Sequence, residues 1–515
     1  TVGFDGLLSR NPIEATLTAE VNKADFYAMK LAEAPFSFSG CAHIDVATDM
    51  KEHYMVQGFM SDMTFRDSAN VYRPDDLTLD LLTRRDTTHL VANCGDFNIN
   101  GDLQGGYKAI MSIKDRLMAE IDRQVNSRII DEASFRQVLP MGKVTMSIGR
   151  ENPLSRLIRR TGYGYSTIEM DMTSSHEKGI NGYLNIDTLM TPGMQLDKIR
   201  LRLDSDEERM KYKVQIENGP DNPQYTFFAE ANGALHPNGT NFALFIDDKN
   251  KRRGVDISLE AKMENEGVRI NFANGNQILG YKDFAVNDDN YVFLSRDMRV
   301  SADVRLRAKD GTGIQIYTDD ENLEALQDVT FSLHEFEISE LLSVLPYTPR
   351  VSGILDGDFH VIITPEDLSV SSSVDFKNII YEGWKLGNLA SEFVYVPQTD
   401  GSHYIDGILY REGKEVGTII GSYNPEGEGN IDAVLAMKQF PLNLVNGFIP
   451  DQLMGLEGTG EGELTIKGSL AKPLVNGEIL MQKASLISVP YGVTMRFDDD
   501  PVRIEDSRLT LSDFR

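Results

Sequence analysis

The residues that could do chemistry are badly spaced for it. Gly162-Tyr-Gly164-Tyr-Ser166 brings a serine near two glycines. A nucleophile elbow instead needs glycine two positions to either side of the serine, so that a sharp turn exposes the hydroxyl. His176-Glu177 and His334-Glu335 start a zinc-hydrolase pattern, but neither has a second histidine four positions after the first. That spacing is what places two imidazoles on one helix face. Gly458-Thr-Gly460-Glu-Gly462 lacks the Lys and Ser/Thr of a phosphate loop. Asp498-Asp499-Asp500 could attract a cation but has no EF-hand frame, and reads as a solvated turn before Pro501. Two cysteines, Cys41 and Cys94, make neither a disulfide framework nor a metal site and read as small buried residues. The eight histidines are scattered. The expectation is a protein that is not an enzyme, with no catalytic residues, no cofactor and no metal.

Charge narrows the partners. Against 51 Lys and Arg stand 79 Asp and Glu, a net charge of −28. Nucleic acid is excluded as a partner, because phosphates need a basic face. Hydrophobic residues at 41% exclude a disordered chain. The chain starts Thr1-Val2-Gly3 and stops inside another alternating run, so it reads as an internal piece of a longer protein.

The elements behind these residues are mostly strands. Period-two alternation recurs in Leu77-Thr-Leu79-Asp-Leu81, Ile199-Arg-Leu201-Arg-Leu203, Val255 to Met263, Val268-Arg-Ile270-Asn-Phe272 and Val300 to Ala308. The alternate positions are largely charged, so one face of each strand meets water, and the pairing should be antiparallel. Turn signals such as Asn218-Gly219-Pro220, Pro237-Asn238-Gly239, Asp310-Gly311 and Pro425-Glu426-Gly427 separate the runs. Two stretches differ. Residues 107–137 space Ile110, Ile113, Leu117, Ile121, Val125 and Ile129 three and four apart, which predicts an amphipathic helix or a pair. In 152–160, NPLSRLIRR, Asn152 can cap and Pro153 suits the first helical position. Arg156, Arg159 and Arg160 make the far side of that helix basic. It reads as a local lid on the sheet or, alternatively, a helix resting on anionic lipid.

An internal duplication is legible. Phe331, Leu333, Phe336, Ile338, Leu341, Leu345 and Pro346 match Leu435, Met437, Phe440, Leu442, Val445, Ile449 and Pro450, each 104 positions on. One inserted residue then brings Gly353 onto Gly458 and Gly357 onto Gly462. The unit is a strand, a helical turn ending at proline, and a strand whose apolar face carries glycine. Gly353, Gly357, Gly458, Gly460, Gly462 and Gly468 are therefore structural glycines. Either they let the sheet coil tightly or let a second sheet pack close, or they leave space for a guest.

About 30 strands cannot lie flat; at ~4.8 Å each they would span on the order of 140 Å. The fold predicted is mainly β, a long antiparallel sheet folded into an open apolar groove with a small helical insertion. It divides as 1–106 groove repeats, 107–165 helical insertion and return to sheet, 166–320 groove repeats, 321–425 one repeat unit and 426–515 the next. The expected lining is the apolar set Val255, Ile257, Leu259, Val268, Ile270, Phe272, Val300, Val304, Leu306, Leu355, Phe359, Val361, Leu464 and Ile466.

The stretch from FPLNLVNGFIPD (440–451) through LEGTGEGELTIKGSLAKPLVNGEILMQKASLISVPYGVTMRF resembles the TamB family of translocation and assembly module proteins, within the AsmA-like superfamily. The resemblance lies in the turn Phe440-Pro441-Leu442, the glycine strand 458–462, the strand ending at Gly468, and Pro473 with Gly477. ILGYKDFAVNDDNYVFL (278–294) is similar to the form in Bacteroidetes-type bacteria. What the resemblance implies is a periplasmic β-taco anchored in the inner membrane outside this chain. Such a protein moves phospholipid between the two membranes and engages an outer-membrane insertase-type barrel through another region. A scaffold that templates strands for outer-membrane protein assembly, and a tandem β-sandwich adhesin, are the alternative functions.

Overall fold

In the computed structural model, strand takes 65% of the chain and helix 9%, so the fold is mainly β and the sheet is antiparallel. The described residues are all but 8–11, 69, 274, 320–324, 347, 426–428, 449–453, 470–471, 489–490, 497–500 and 511–515. The acidic run 498–500, the duplicated Ile449 and Pro450, and the turn residues Glu426 and Gly427 lie outside them. Two compact units form: Thr1–Arg253 with Ser258–Met263, and Gly254–Ile257 with Glu264–Arg515. The division falls inside the strand Arg253–Glu264, within the stretch 166–320 that the alternation alone reads as continuous.

In the first unit the chain meanders, each strand pairing mainly with the one before it. The helical insertion interrupts the chain and not the sheet, because Phe97–Gln104 pairs directly with Gly142–Ile148 across it. That insertion holds three helices rather than the one or two expected: α1 (Tyr107–Met111), α2 (Ile113–Ser127) and α3 (Glu132–Val138). Arg128 takes the left-handed conformation at the end of α2 and stops it. Ile121 and Val125, expected on the buried stripe, are exposed. Inside α3, the buried pair Glu132 and Arg136 forms a salt bridge one helical turn apart. Arg136 also donates to the carbonyls of Glu177 (2.7 Å) and Asp206 (2.8 Å), tying two hairpin turns to the helix. After Gly142–Ile148 comes α4 (Pro153–Arg160), capped as expected: Asn152 Oδ1 accepts from the Ser155 amide at 2.9 Å.

The duplication in the second unit is a duplication of geometry. The strand Gln327–Glu337 shifts register between Leu333 and Phe336, and Asn430–Pro441 shifts between Met437 and Phe440, again 104 positions on. The extra residues, Glu335 and Gln439, have φ of 46° and 49°. The next strand in each copy carries the glycine, Val351–Ile363 with Gly353 and Met454–Ser469 with Gly458. The strand beyond bulges in turn, with Asn378 at φ 54° and Lys483 at φ 50°. A glycine strand flanked by two bulged neighbours is a crease, since each bulge bends and twists its strand at the same level.

Between the bulged strand and the glycine strand sits a short helix. In the first copy it is α5 (Ile338–Leu342); in the second it is the 3₁₀ turn Leu442–Phe448. Each rests on an earlier hairpin turn. The backbone of α5 lies close over Gly280, and Lys282 Nζ holds Glu340 (2.7 Å) and Asp310 (2.8 Å). In the second copy Asn443 reaches the carbonyl of Lys385 at 3.3 Å, and the Trp384 ring lies so close to Gly455 that a methyl there would overlap it.

A third crease lies in the first unit, where the sequence shows no clear repeat. Ile13–Asp25 shifts register between Val21 and Ala24. Tyr54–Asp67 bulges at Asp62 (φ 52°), opposite Gly40 of the strand Phe36–Thr48. The shared signal is small: Ser39-Gly40 here, Ser352-Gly353 there.

Candidate functional site

Most of the structural glycines do not hold space open. A Cβ on Gly458 would stand 2.7 Å from Ala484 Cα and 2.8 Å from the carbonyl oxygens of Gln482 and Lys483. On Gly353 it would stand 2.9 Å from the Lys377 carbonyl oxygen, and on Gly462 it would overlap that of Glu478. At Gly460 the space is taken by Ile479 and Leu442. At Gly353 and Gly458 the role is close approach of bulged backbone, which favours a bend there, whereas a Cβ on Gly468 would meet nothing within 4 Å.

Part of the expected lining is also closed. Val304 (1% exposed) and Leu306 form a core with Phe284 and Ala308, and Phe272 packs on it. They are interior residues rather than an open wall, with Leu279, Val286, Val292, Ile314 and Ile316 also packed against them. Val255, Val268 and Leu464 are buried as well. Ile257, Leu259, Ile270, Val300, Leu355, Phe359, Val361 and Ile466 are half-buried. Phe359 pairs with Phe331, ring centroids 6.2 Å apart, while Leu355 lies opposite Phe336. Leu442 of the 3₁₀ turn fills the second-copy crease together with Met481, Ala484 and Val502.

The crease of the first unit is different. The turn after Asp25 does not fold back to fill it; Tyr27, Met29 and Leu31 point out and are exposed. What remains is a cavity of about 530 Å³ lined by Phe26, Phe36, Phe38, Met60, Phe65 and Tyr72 from the sheet side. The rings form a continuous row: Phe26–Phe36 5.6 Å, Phe36–Phe65 6.1 Å, Phe38–Phe65 5.0 Å and Phe65–Tyr72 6.1 Å between centroids. This row was not picked out from the sequence. Its trace there is Phe36-Ser-Phe38 placed two residues before Gly40, with Phe65 three after the bulge at Asp62.

Helix α4 roofs the cavity. Leu154 and Leu157 line it yet stay 42% and 58% exposed, so the roof stands off the floor. The start of α4 is fixed. Asn152 is fully buried and donates to Asp96 (2.8 Å) and the Gly149 carbonyl (3.0 Å). Ser155 Oγ donates to the same carbonyl (2.7 Å) and lies 2.7 Å from the Tyr165 hydroxyl. The far end is held by exposed groups, with Arg160 at 3.8 Å from Asp67 and 4.4 Å above the Phe36 ring, and with Arg159 bonded to the Arg150 carbonyl. Arg156 lies 3.9 Å above the Tyr72 ring and pairs with Glu151 at 2.7 Å.

Two polar atoms where floor and roof meet are buried without a hydrogen-bond partner, Tyr72 Oη and Arg156 Nε. Burial pushes the Tyr72 phenol up to about 12, although the neighbouring Arg156 pulls the other way. Arg159 donates to the Arg150 carbonyl, and Arg150 to Ser166 Oγ. Among the described residues neither arginine has a carboxylate within ion-pair reach.

Among the described residues no three His, Cys, Asp or Glu side chains gather to hold a metal, and no helix is long and apolar enough to cross a membrane. Both cysteines are free thiols. Cys94 is buried against the Asp75 carbonyl at 3.2 Å, while Cys41, expected to be buried, is only half-covered on its strand beside the Gly40 crease. In comparisons with protein-family models, curated proteins and solved structures, the chain matches none of them.

Proposed function

We propose that this chain is a lipid-handling segment of a periplasmic β-groove protein, carrying phospholipid acyl chains between the inner and outer membranes and so supporting outer-membrane biogenesis. The observation that carries the reading is the ring-lined cavity beneath α4, apolar along its floor and rimmed by arginine. Its volume lies in the range of small-molecule sites, ~300–1,000 Å³. Sheltering an acyl chain there gains about 0.8 kcal/mol per methylene over leaving it in water. A tail can enter without covalent chemistry, so the absence of a spaced catalytic set in the sequence is no obstacle. The likeness of residues 278–515 to TamB proteins points the same way.

The test is native mass spectrometry of the full chain purified from a Gram-negative host, followed by lipid extraction. Wild type is expected to retain about one phospholipid per chain. Met60→Trp, which fills the cavity from the floor, should lose it. Leu157→Glu, which changes only an exposed position on the roof, should lose it too without a folding penalty. Wild-type protein that comes out free of lipid overturns the reading.

A further inference from the structure

We infer that the cavity beneath α4 selects anionic phospholipid, with one acyl chain on the aromatic floor and the phosphate head at Arg159; this rests on the lipid reading above. Three observations converge on it.

Volume comes first. At roughly 30 Å³ for a water-sized unit, about 530 Å³ accommodates on the order of 18 such units, the bulk of one tail and not two. The second chain and the head must then stay at the mouth, where the arginines are.

Charge is the second. The chain carries −28, yet Arg156, Arg159 and Arg160 line this cavity beside one carboxylate, Asp67. Arg156 pairs with Glu151, and Arg160 with Asp67. Arg159 donates to the Arg150 carbonyl and, among the described residues, has no carboxylate within ion-pair reach. A phosphate at the mouth would supply that missing anion.

The third is the way α4 is attached. Its first turn is fixed through buried Asn152 and Ser155, while its last turn is held by exposed groups: the 3.8 Å Arg160–Asp67 ion pair, the Arg160 contact with the Phe36 ring and the Arg159 bond to the Arg150 carbonyl. The end that carries Arg159 is the end able to adjust to a head group. Tyr72 Oη and Arg156 Nε, buried and unpaired beneath it, are donors that such an adjustment can bring to a phosphate oxygen.

The experiment titrates the full chain with palmitoyl-lysophosphatidylglycerol and, separately, palmitoyl-lysophosphatidylcholine, which share a tail and differ in net charge. Wild type should bind the glycerol lipid on the order of 10-fold more tightly, the scale of one charge-assisted contact pair. The preference should shrink at high salt. Arg159→Ala should bring the ratio close to one and leave the choline lipid unchanged. Equal wild-type affinity for both lipids, with both abolished by Met60→Trp, overturns the head-group inference and leaves the tail reading standing. Binding of neither lipid overturns both, as does recovery of a bound peptide in place of lipid.

Discussion

Replacing Gly458 with alanine should destabilise the second unit far more than the same change at Gly460, two positions away on the same strand. At Gly458 φ is 102°, and a side chain in that region costs ~1–3 kcal/mol in backbone strain. The new methyl would also meet three backbone atoms at 2.7–2.8 Å, Ala484 Cα and the carbonyl oxygens of Gln482 and Lys483. Backbone held in a ladder cannot step aside, so overpacking adds another ~1–3 kcal/mol. Gly460 has no positive φ, and its nearest neighbours are the methyls of Ile479 (3.1 Å) and Leu442 (3.2 Å). Those side chains can yield, and alanine gains ~0.4–1 kcal/mol by restricting the unfolded chain. The net change at Gly460 is therefore within about 1 kcal/mol of zero, and the two variants differ by about 3 kcal/mol. Trp384, the sole tryptophan, lies against Gly455 of the same strand and reports on it directly. Followed by its fluorescence in urea, with a slope of ~3 kcal/mol per molar, the midpoint of Gly458→Ala should fall by about 1 M relative to Gly460→Ala. Equal midpoints for the two variants would refute the crease as the reason for glycine.

Asn152→Ala should free α4. It removes the cap, worth ~0.5–2 kcal/mol, and leaves Asp96 short of a buried partner at ~1–3 kcal/mol more. Amide exchange across 153–160 should rise by at least tenfold, while the strand Phe97–Gln104 keeps its protection; unchanged exchange in α4 would count against the hinge. Asp310 is held at about 2, first by its hydrogen bond from Lys282 and then by Thr312. A depressed carboxylate contributes stability above its unfolded value near 3.9, and that contribution is lost as pH falls through about 2. Asp310→Asn should therefore flatten the urea midpoint between pH 4 and 2 and leave the curve above pH 5 parallel to wild type; an unaltered acid limb would show that the Lys282 bridge does not anchor α5.

Much of the architecture was legible in the residues because strand alternation is a local property. Val255 to Met263 and Val268 to Phe272 read as strands from their own side chains, and Asn152-Pro153 announced a helix start that the backbone then adopted. The duplication was legible too, since bulge and glycine recur at fixed offsets. The breaks at Ser112 and Arg128 were not, because apolar spacing continues across them while the backbone does not.

By itself, then, the sequence determined the strand-rich fold, the outward charge and the positions of the duplicated glycines. The tertiary structure decided which apolar faces are filled. Val304 and Leu306 alternate just as an open wall would, but with Phe284 and Ala308 they form a buried core on which Phe272 and Ile316 pack. Phe36, Phe38 and Phe65 alternate in the same way and stay uncovered by their own turn, leaving α4 as a raised roof. Period-two spacing says which side of a strand a residue is on. What stands opposite is supplied by segments far away in the chain, and that contact, absent from any local pattern, separates a core from a cavity.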